Sequence, residues 1–345
     1  MGATPPTKER KMSKEKLSTL NNYTLIGQTE KRGHIAWHYR ADLQGDEPNH
    51  YPGAIPVEDV RRRLFNWRAV EEPMTIRGGI PVKGFKSIVR SDNNTVLGIF
   101  KESYAVHQYD EWLIENVANL IDDNNLSIGS AGVLRDGGIA WVTIEMPDNL
   151  TTTVGYELRP YLLATTSHNG SIATTYKQVC NVPVCDNTLF AGLKEDGAFH
   201  RTRHSKNSVM KIQNVRDALG VVFRMGENIV AEIERLGSIT VTDREWDAIV
   251  NRLMPIGAVG DVPLHAISKM ENKQEAIRQM YRNDPMVAPW QGSALGVLQA
   301  FNTYAHHVAG NDKNRAERNA LNAIKNTVQQ SDSKVLSVIN ELVLA

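Results

Sequence analysis

The chain has 345 residues, of which 41% are hydrophobic and 23% charged, and its 39 lysines and arginines are balanced by 39 aspartates and glutamates. This is the composition of a globular protein of one large or two smaller domains. It excludes a globally basic nucleic-acid binder and any ~20-residue apolar membrane span, so binding of an anionic partner would have to come from a local cluster.

In chain order, MGATPPTKERKMSKEK lacks the apolar centre of a signal peptide and reads as a basic, flexible arm over residues 1–22. A core domain is expected over 23–236. Pro56 opens a short helix with Glu58 and Asp59 in its first turn and Val60, Leu64 and Phe65 at helical spacing. Asn66–Val70 leads into a strand. PVKGFKSIVR, the turn Ser91-Asp92-Asn93-Asn94 and TVLGIFKESY read as an antiparallel hairpin. Residues 108–122 follow as a helix with Trp112, Leu113, Val117 and Leu120 on one face. A second hairpin, Leu126–Leu134 with Ile139–Met146, turns at Arg135-Asp136-Gly137-Gly138. A third, Tyr161–Thr166 with Ile172–Val179, turns at His168-Asn169-Gly170-Ser171.

Cys180 and Cys185, in CNVPVC, form no zinc-ligand pattern; a disulfide between them is one reading, and buried free thiols in a reducing cytoplasm are the favoured one. From Ala198 to Arg216 the chain carries no acidic residue. A solvated helix face and a phosphate-contacting surface both fit this block. A long helix over 206–235 bears Val209, Ile212, Val215, Leu219 and Val222 as a core stripe. Residues 237–345 read as a helical region, with a capping box at Thr242-Asp243-Arg244-Glu245 and helical segments at Lys269–Arg282, Ser293–Val308 and Arg315–Leu344. The expected fold is α+β: a twisted antiparallel sheet of hairpins covered on one side by the helices at 108–122 and 206–235, then a helical C-terminal region.

The segments GHIAWHYR, VEDVRRRLFNWRAV, LGIFKESYAVHQYDEWL, LLATTSHNGS and CDNTL, with the stretch around Trp290, together resemble the phage/plasmid-like proteins, a family defined by a large domain of unknown function and common in bacteriophages. The resemblance spans roughly residues 24–310. It departs at Asn169, where members often carry Asp, and at Trp290-Gln291-Gly292, where they often carry Trp-Gly. Membership would imply a protein of the infected bacterial cytoplasm and no particular activity. In element order the chain is also similar to single-strand annealing proteins of the Rad-type, Redβ and Erf groups. That analogy implies a ring or filament of identical subunits with single-stranded DNA in a positive groove.

Such a groove needs cations on one continuous face and flat groups for the bases. The candidates are Lys83, Lys86, Lys101, Lys177, Arg201, Arg203, Lys206 and Lys211, with Tyr104, Tyr176 and His168 as stacking groups. A helix beginning near Lys206 would add anion affinity through its unpaired amides. No G-x-x-x-x-G-K-[ST], strand-coupled G-x-G-x-x-G, G-x-S-x-G or H-E-x-x-H occurs. The histidine pairs 200/204 and 306/307 read as surface or packing residues rather than ligands.

The expected function is therefore ATP-independent single-stranded DNA binding or annealing in phage recombination or replication, by a homo-oligomer with no cofactor, metal, catalytic residue or membrane contact. Other phage or host replication and recombination proteins are candidate partners. The alternative is a phage-encoded interaction protein that binds a host factor, such as a defence component, without nucleic acid.

Overall fold

The computed structural model describes residues 23–27, 47–118, 126–145, 149–158, 160–180, 199–202, 229–257, 263–285, 287–310, 315–325 and 327–344. Its strands are β1 Thr24–Gly27, β2 His50–Tyr51, β3 Ala69–Ile76, β4 Ile80–Arg90, β5 Val96–Lys101, β6 Ser127–Leu134, β7 Ile139–Glu145, β8 Leu150–Thr151, β9 Glu157–Leu158, β10 Pro160–Ser167, β11 Thr174–Cys180 and β12 Phe199–Thr202. The fold is α+β, with the helices concentrated in the C-terminal region.

The three hairpins form where their turn chemistry and alternation place them, but they do not share one sheet. A seven-stranded sheet runs β12-β11-β10-β7-β6-β1-β2, and β3-β4-β5 make a separate three-stranded sheet. The large sheet is antiparallel except for the β1–β2 pair.

Alternation along the central strands produces two apolar faces. Ala140, Val142, Ile144, Leu162 and Ala164 look one way, onto helix α1 (Val57–Leu64), Trp67, Ile88 of β4 and the short helix α2 (Tyr109–Trp112) with its π-helical continuation Leu113–Ala118. Ile139, Trp141, Tyr161 and Leu163 look the other way, onto Ala320 and Ile324 of the helix Arg315–Ile324. The sheet is thus covered on both faces rather than one, and the second cover comes from the far end of the chain. Trp141 lies opposite Gly132 in the β6–β7 register, and a Cβ at Gly132 would come within 2.7 Å of the indole. Only glycine leaves the ring room to lie flat there.

An aromatic box fixes the small sheet to the large one. Trp67 meets the Tyr109 ring edge-on at 5.5 Å and the His168 ring at 5.9 Å, while Tyr109 and His168 stack at 3.9 Å. The Arg90 guanidinium sits 4.2 Å above the Trp67 ring, donates to Asp92 and reaches the Asp136 carbonyl at 2.8 Å. Tyr109 donates to the Gly137 carbonyl at 2.9 Å. These bonds hold Arg135 and Asp136 in the left-handed region, at φ 55° and 54°, where non-glycine residues are strained.

Residues 229–238 are helical, and 203–228 lie outside the described residues, so most of the long helix expected over 206–235 is not described. The helical core takes in Ile229, Ile233 and Leu236 together with Tyr156 and Leu158, beside Trp246, Ile277, Leu298 and Ile339. Its helices are α3 Asp243–Leu253, α4 Leu264–Asn283, α5 Ala294–Thr303 with π-helical Tyr304–Val308, α6 Arg315–Ile324 and α7 Thr327–Val343. The single segment expected over Arg315–Leu344 is two helices.

The capping box forms as its spacing predicts. Thr242 Oγ1 accepts from the Glu245 amide, and Glu245 accepts from the Thr242 amide at 2.7 Å. Thr242→Ala is expected to lower stability by about 1 kcal/mol, read as a reduced urea midpoint at unchanged slope.

Candidate nucleic-acid interface

The strand register decides which of the sequence-derived cations can act together. In the β4–β5 ladder Phe85 lies directly opposite Lys101, and directly opposed residues share a face. Phe85 is 43% exposed and Lys101 is exposed, as is Lys83 two residues before Phe85. Lys86 is half-buried, and its Nζ lies 2.6 Å from Glu71 Oε1 on β3. Its charge is already matched.

On the same outward face Val70, Val89 and Val96 form one row across the three strands, with Ile99 in the next. Val96 and Ile99 are more than half exposed, at 60% and 54%. The β3–β4 hairpin ends in Ile76 and Ile80, both exposed, flanking Gly78 and Gly79 at positive φ.

Strand β5 packs against the β10–β11 turn. A Cβ at Gly170 would meet the Phe100 ring at 2.6 Å, and one at Gly98 would lie 3.5 Å from the Asn169 Cα. Arg201 stands on the outer strand β12, in register with Thr175, at this same end of the large sheet. Arg203, Lys206 and Lys211 lie outside the described residues, as does Cys185.

Lys177 is not a groove residue. It is 4% exposed and shares a face with Leu163, its partner in the β10–β11 register. Its ammonium donates to the carbonyls of Ala323 and, at 3.0 Å, Ile324. These are last-turn carbonyls of α6, where a cation also meets the negative end of the helix dipole. Burial draws the Lys177 amine down to about 7.

The three expected stacking groups are internal as well. His168 is 1% exposed and stacked on Tyr109, and Tyr176 is 3% exposed. Tyr104 stacks on Phe100 at 4.0 Å and donates to the Ser167 carbonyl. An exposed aromatic on this sheet is Phe85, overlooked in the sequence because its strand reads as ordinary core alternation.

Two clefts lie away from this sheet. One, of about 740 Å³, separates the Arg135-Asp136 turn from α6, and its cations face Asp136 and Glu317, with Arg135 Nε 3.5 Å from Glu317. The other, of about 660 Å³, lies between α4 and the Tyr304–Val308 turn and has no carboxylate in its lining. Among the described residues no group of three or more His, Cys, Asp or Glu is placed to hold a metal ion. His306, buried at 4%, has its imidazole drawn down to about 4 by burial and by neighbouring His307 and Arg318. No described helix is long and apolar enough to cross a membrane.

Residues 96–332 match the family described as Domain of unknown function (DUF932), well over half of the chain. The chain belongs to the DUF932 family. The matched span begins at β5, so it takes in Lys101 but leaves Phe85 and Lys83 outside, and it includes the whole lining of the α4 cleft and all of the other's except Tyr23. No curated protein and no solved structure matches this DUF932 chain.

Proposed function

We propose that this DUF932 protein binds single-stranded nucleic acid without ATP, as a homo-oligomer, and that its contact surface is the outward face of β3-β4-β5. The observation that supports this reading is the exposed Phe85 beside Lys101, with Lys83 two residues away. An exposed ring flanked by cations offers a base a stacking partner and the adjoining phosphates a counter-charge. Annealing during phage recombination or replication, in the infected bacterial cytoplasm, is the role such binding would serve. It is suggested by the sequence resemblance to phage/plasmid-like proteins and by the analogy of expected element order with annealing proteins.

The test is fluorescence anisotropy of a labelled thymine oligonucleotide across a salt series, with light scattering on the same samples. Log affinity should fall linearly with log salt, by about 0.7 per phosphate neutralised. Phe85→Ser should weaken binding roughly 5- to 150-fold, the equivalent of about 1–3 kcal/mol of stacking. Absence of binding at low salt would overturn the reading.

A second reading rests on a different observation, the apolar row Val70, Val89, Val96 and Ile99. An exposed apolar sheet face also suits a protein partner, such as a host defence factor. In that case Val96→Lys with Ile99→Lys would abolish the complex, while oligonucleotides would bind neither form.

A further inference from the structure

The acid-free cleft is distinct from the sheet face. It is built on α4, where His265, Lys269 and Lys273 recur every four residues and Ser268, Asn272 and Ala276 form the adjoining stripe. Tyr304 and Val308 close the opposite side.

Two features separate it from a solvated helix face. First, every polar side chain lining it can donate a hydrogen bond, and none is a carboxylate. The helix's own acids, Glu271 and Glu275, do not line it, and Glu275 accepts from Gln279 instead. Second, among the described residues no carboxylate neutralises the cations. Among the described residues neither Lys269 nor Lys273 has a carboxylate partner, whereas Lys86, Arg62, Arg68 and Arg135 are each ion-paired. Lys273 Nζ has only the Met270 sulfur, at 3.8 Å.

Two lysines one helical turn apart, beside a tyrosine and with no carboxylate in the shared lining, present several donors to one anion. Their separation along the helix, about 6 Å, suits a ligand with more than one anionic oxygen group or with successive phosphates. Burial raises the Tyr304 phenol, so it stays a neutral donor.

We infer that the groove between α4 and the Tyr304–Val308 turn binds organic phosphate, with the phosphate oxygens on Lys269 and Lys273 and the organic part against Tyr304 and Val308. The phosphate can come from a free nucleotide or from a nucleic-acid strand, and the groove chemistry is the same for both.

Calorimetric titration of the full chain at low salt with AMP, with pyrophosphate and with a thymine oligonucleotide tests this. Lys269→Gln with Lys273→Gln is expected to weaken at least one of these ligands tenfold or more, and Ser268→Asp, which adds a like charge to the ligand, should do the same. Arg244→Gln, an exposed charge loss on another helix, should change none of them. Loss confined to the oligonucleotide identifies strand phosphate as the source, and loss of AMP identifies free nucleotide. Circular dichroism confirms that each variant is folded. If no ligand responds to the groove variants, the proposal is overturned. Lys83→Gln with Lys101→Gln, run on the same oligonucleotide, reports on the sheet face, so the failure of one site is distinguishable from failure of the other.

Discussion

Trp67→Ala is expected to lower the unfolding free energy by about 3–5 kcal/mol, the cost of deleting a buried aromatic whose cavity cannot close. The indole is 5% exposed, donates to the Leu64 carbonyl at 3.0 Å, and contacts Tyr109, His168 and Arg90 at once. Removing it also takes the π face from a guanidinium whose own side chain is only 9% exposed. The damage should spread to the β6–β7 turn, because Arg90 is one of the groups holding the Asp136 carbonyl. Chemical denaturation followed by tryptophan fluorescence and by far-UV circular dichroism checks this. A loss below about 1 kcal/mol would mean that the two sheets are not joined through the box.

The second large effect is a pH dependence set by Lys177. Its amine is drawn down to about 7 in the folded protein from the ordinary 10.5, and burial is the cause. Between those values the unfolded chain carries a proton at this site that the folded chain does not. Stability must therefore rise with pH across the window, with a slope approaching about 1.4 kcal/mol per pH unit, and this group causes no further loss as the pH falls below 7. The buried tyrosines act oppositely above pH 10. Tyr104 is raised to about 12 by burial and Tyr109 is also raised, so unfolding releases their protons and lowers stability there. Urea unfolding at several pH values should therefore give a maximum between about pH 9 and 10. Lys177→Met, which keeps the aliphatic stem, should flatten the rise from pH 7 to 9. An unchanged slope in the variant would assign the pH dependence elsewhere.

The hairpins were legible because their information is local: β-branched alternation on either side of Asp92-Asn93, Asp136-Gly137 and Asn169-Gly170. Sheet membership was not, because it depends on contacts distant in sequence. The four residues of β1 carry no sign that they will pair with β6, more than a hundred positions on. The partition of β3-β4-β5 into its own sheet, like the register shifts at Pro73/Thr75 and Ile88/Val89, is not something a hydrophobic pattern reveals.

Lys177 shows the limit most clearly. It has the same parity as Val179, a core residue, yet Tyr176 on the opposite parity is buried too. In a sheet covered on both faces neither parity means solvent, and a lysine there is misread as a surface cation. Of the eight groove candidates, Lys83 and Lys101 are exposed on the small sheet and Arg201 is on an outer strand, while Lys86 and Lys177 are held inside the chain's own bonding. The i, i+4 recurrence of His265, Lys269 and Lys273 was visible in the sequence, but nothing local told that Tyr304 would face it.

The bond between Lys177 and the end of α6 joins positions 146 residues apart. On a ribosome adding about 5–20 residues per second, the interval between the emergence of the two ends is roughly 7–30 s. Throughout that time Trp141, Tyr161, Leu163 and Val179 have no helix to cover them. A nascent chain in this condition is a natural client for a chaperone, and a translation stop before Arg315 would strand it there.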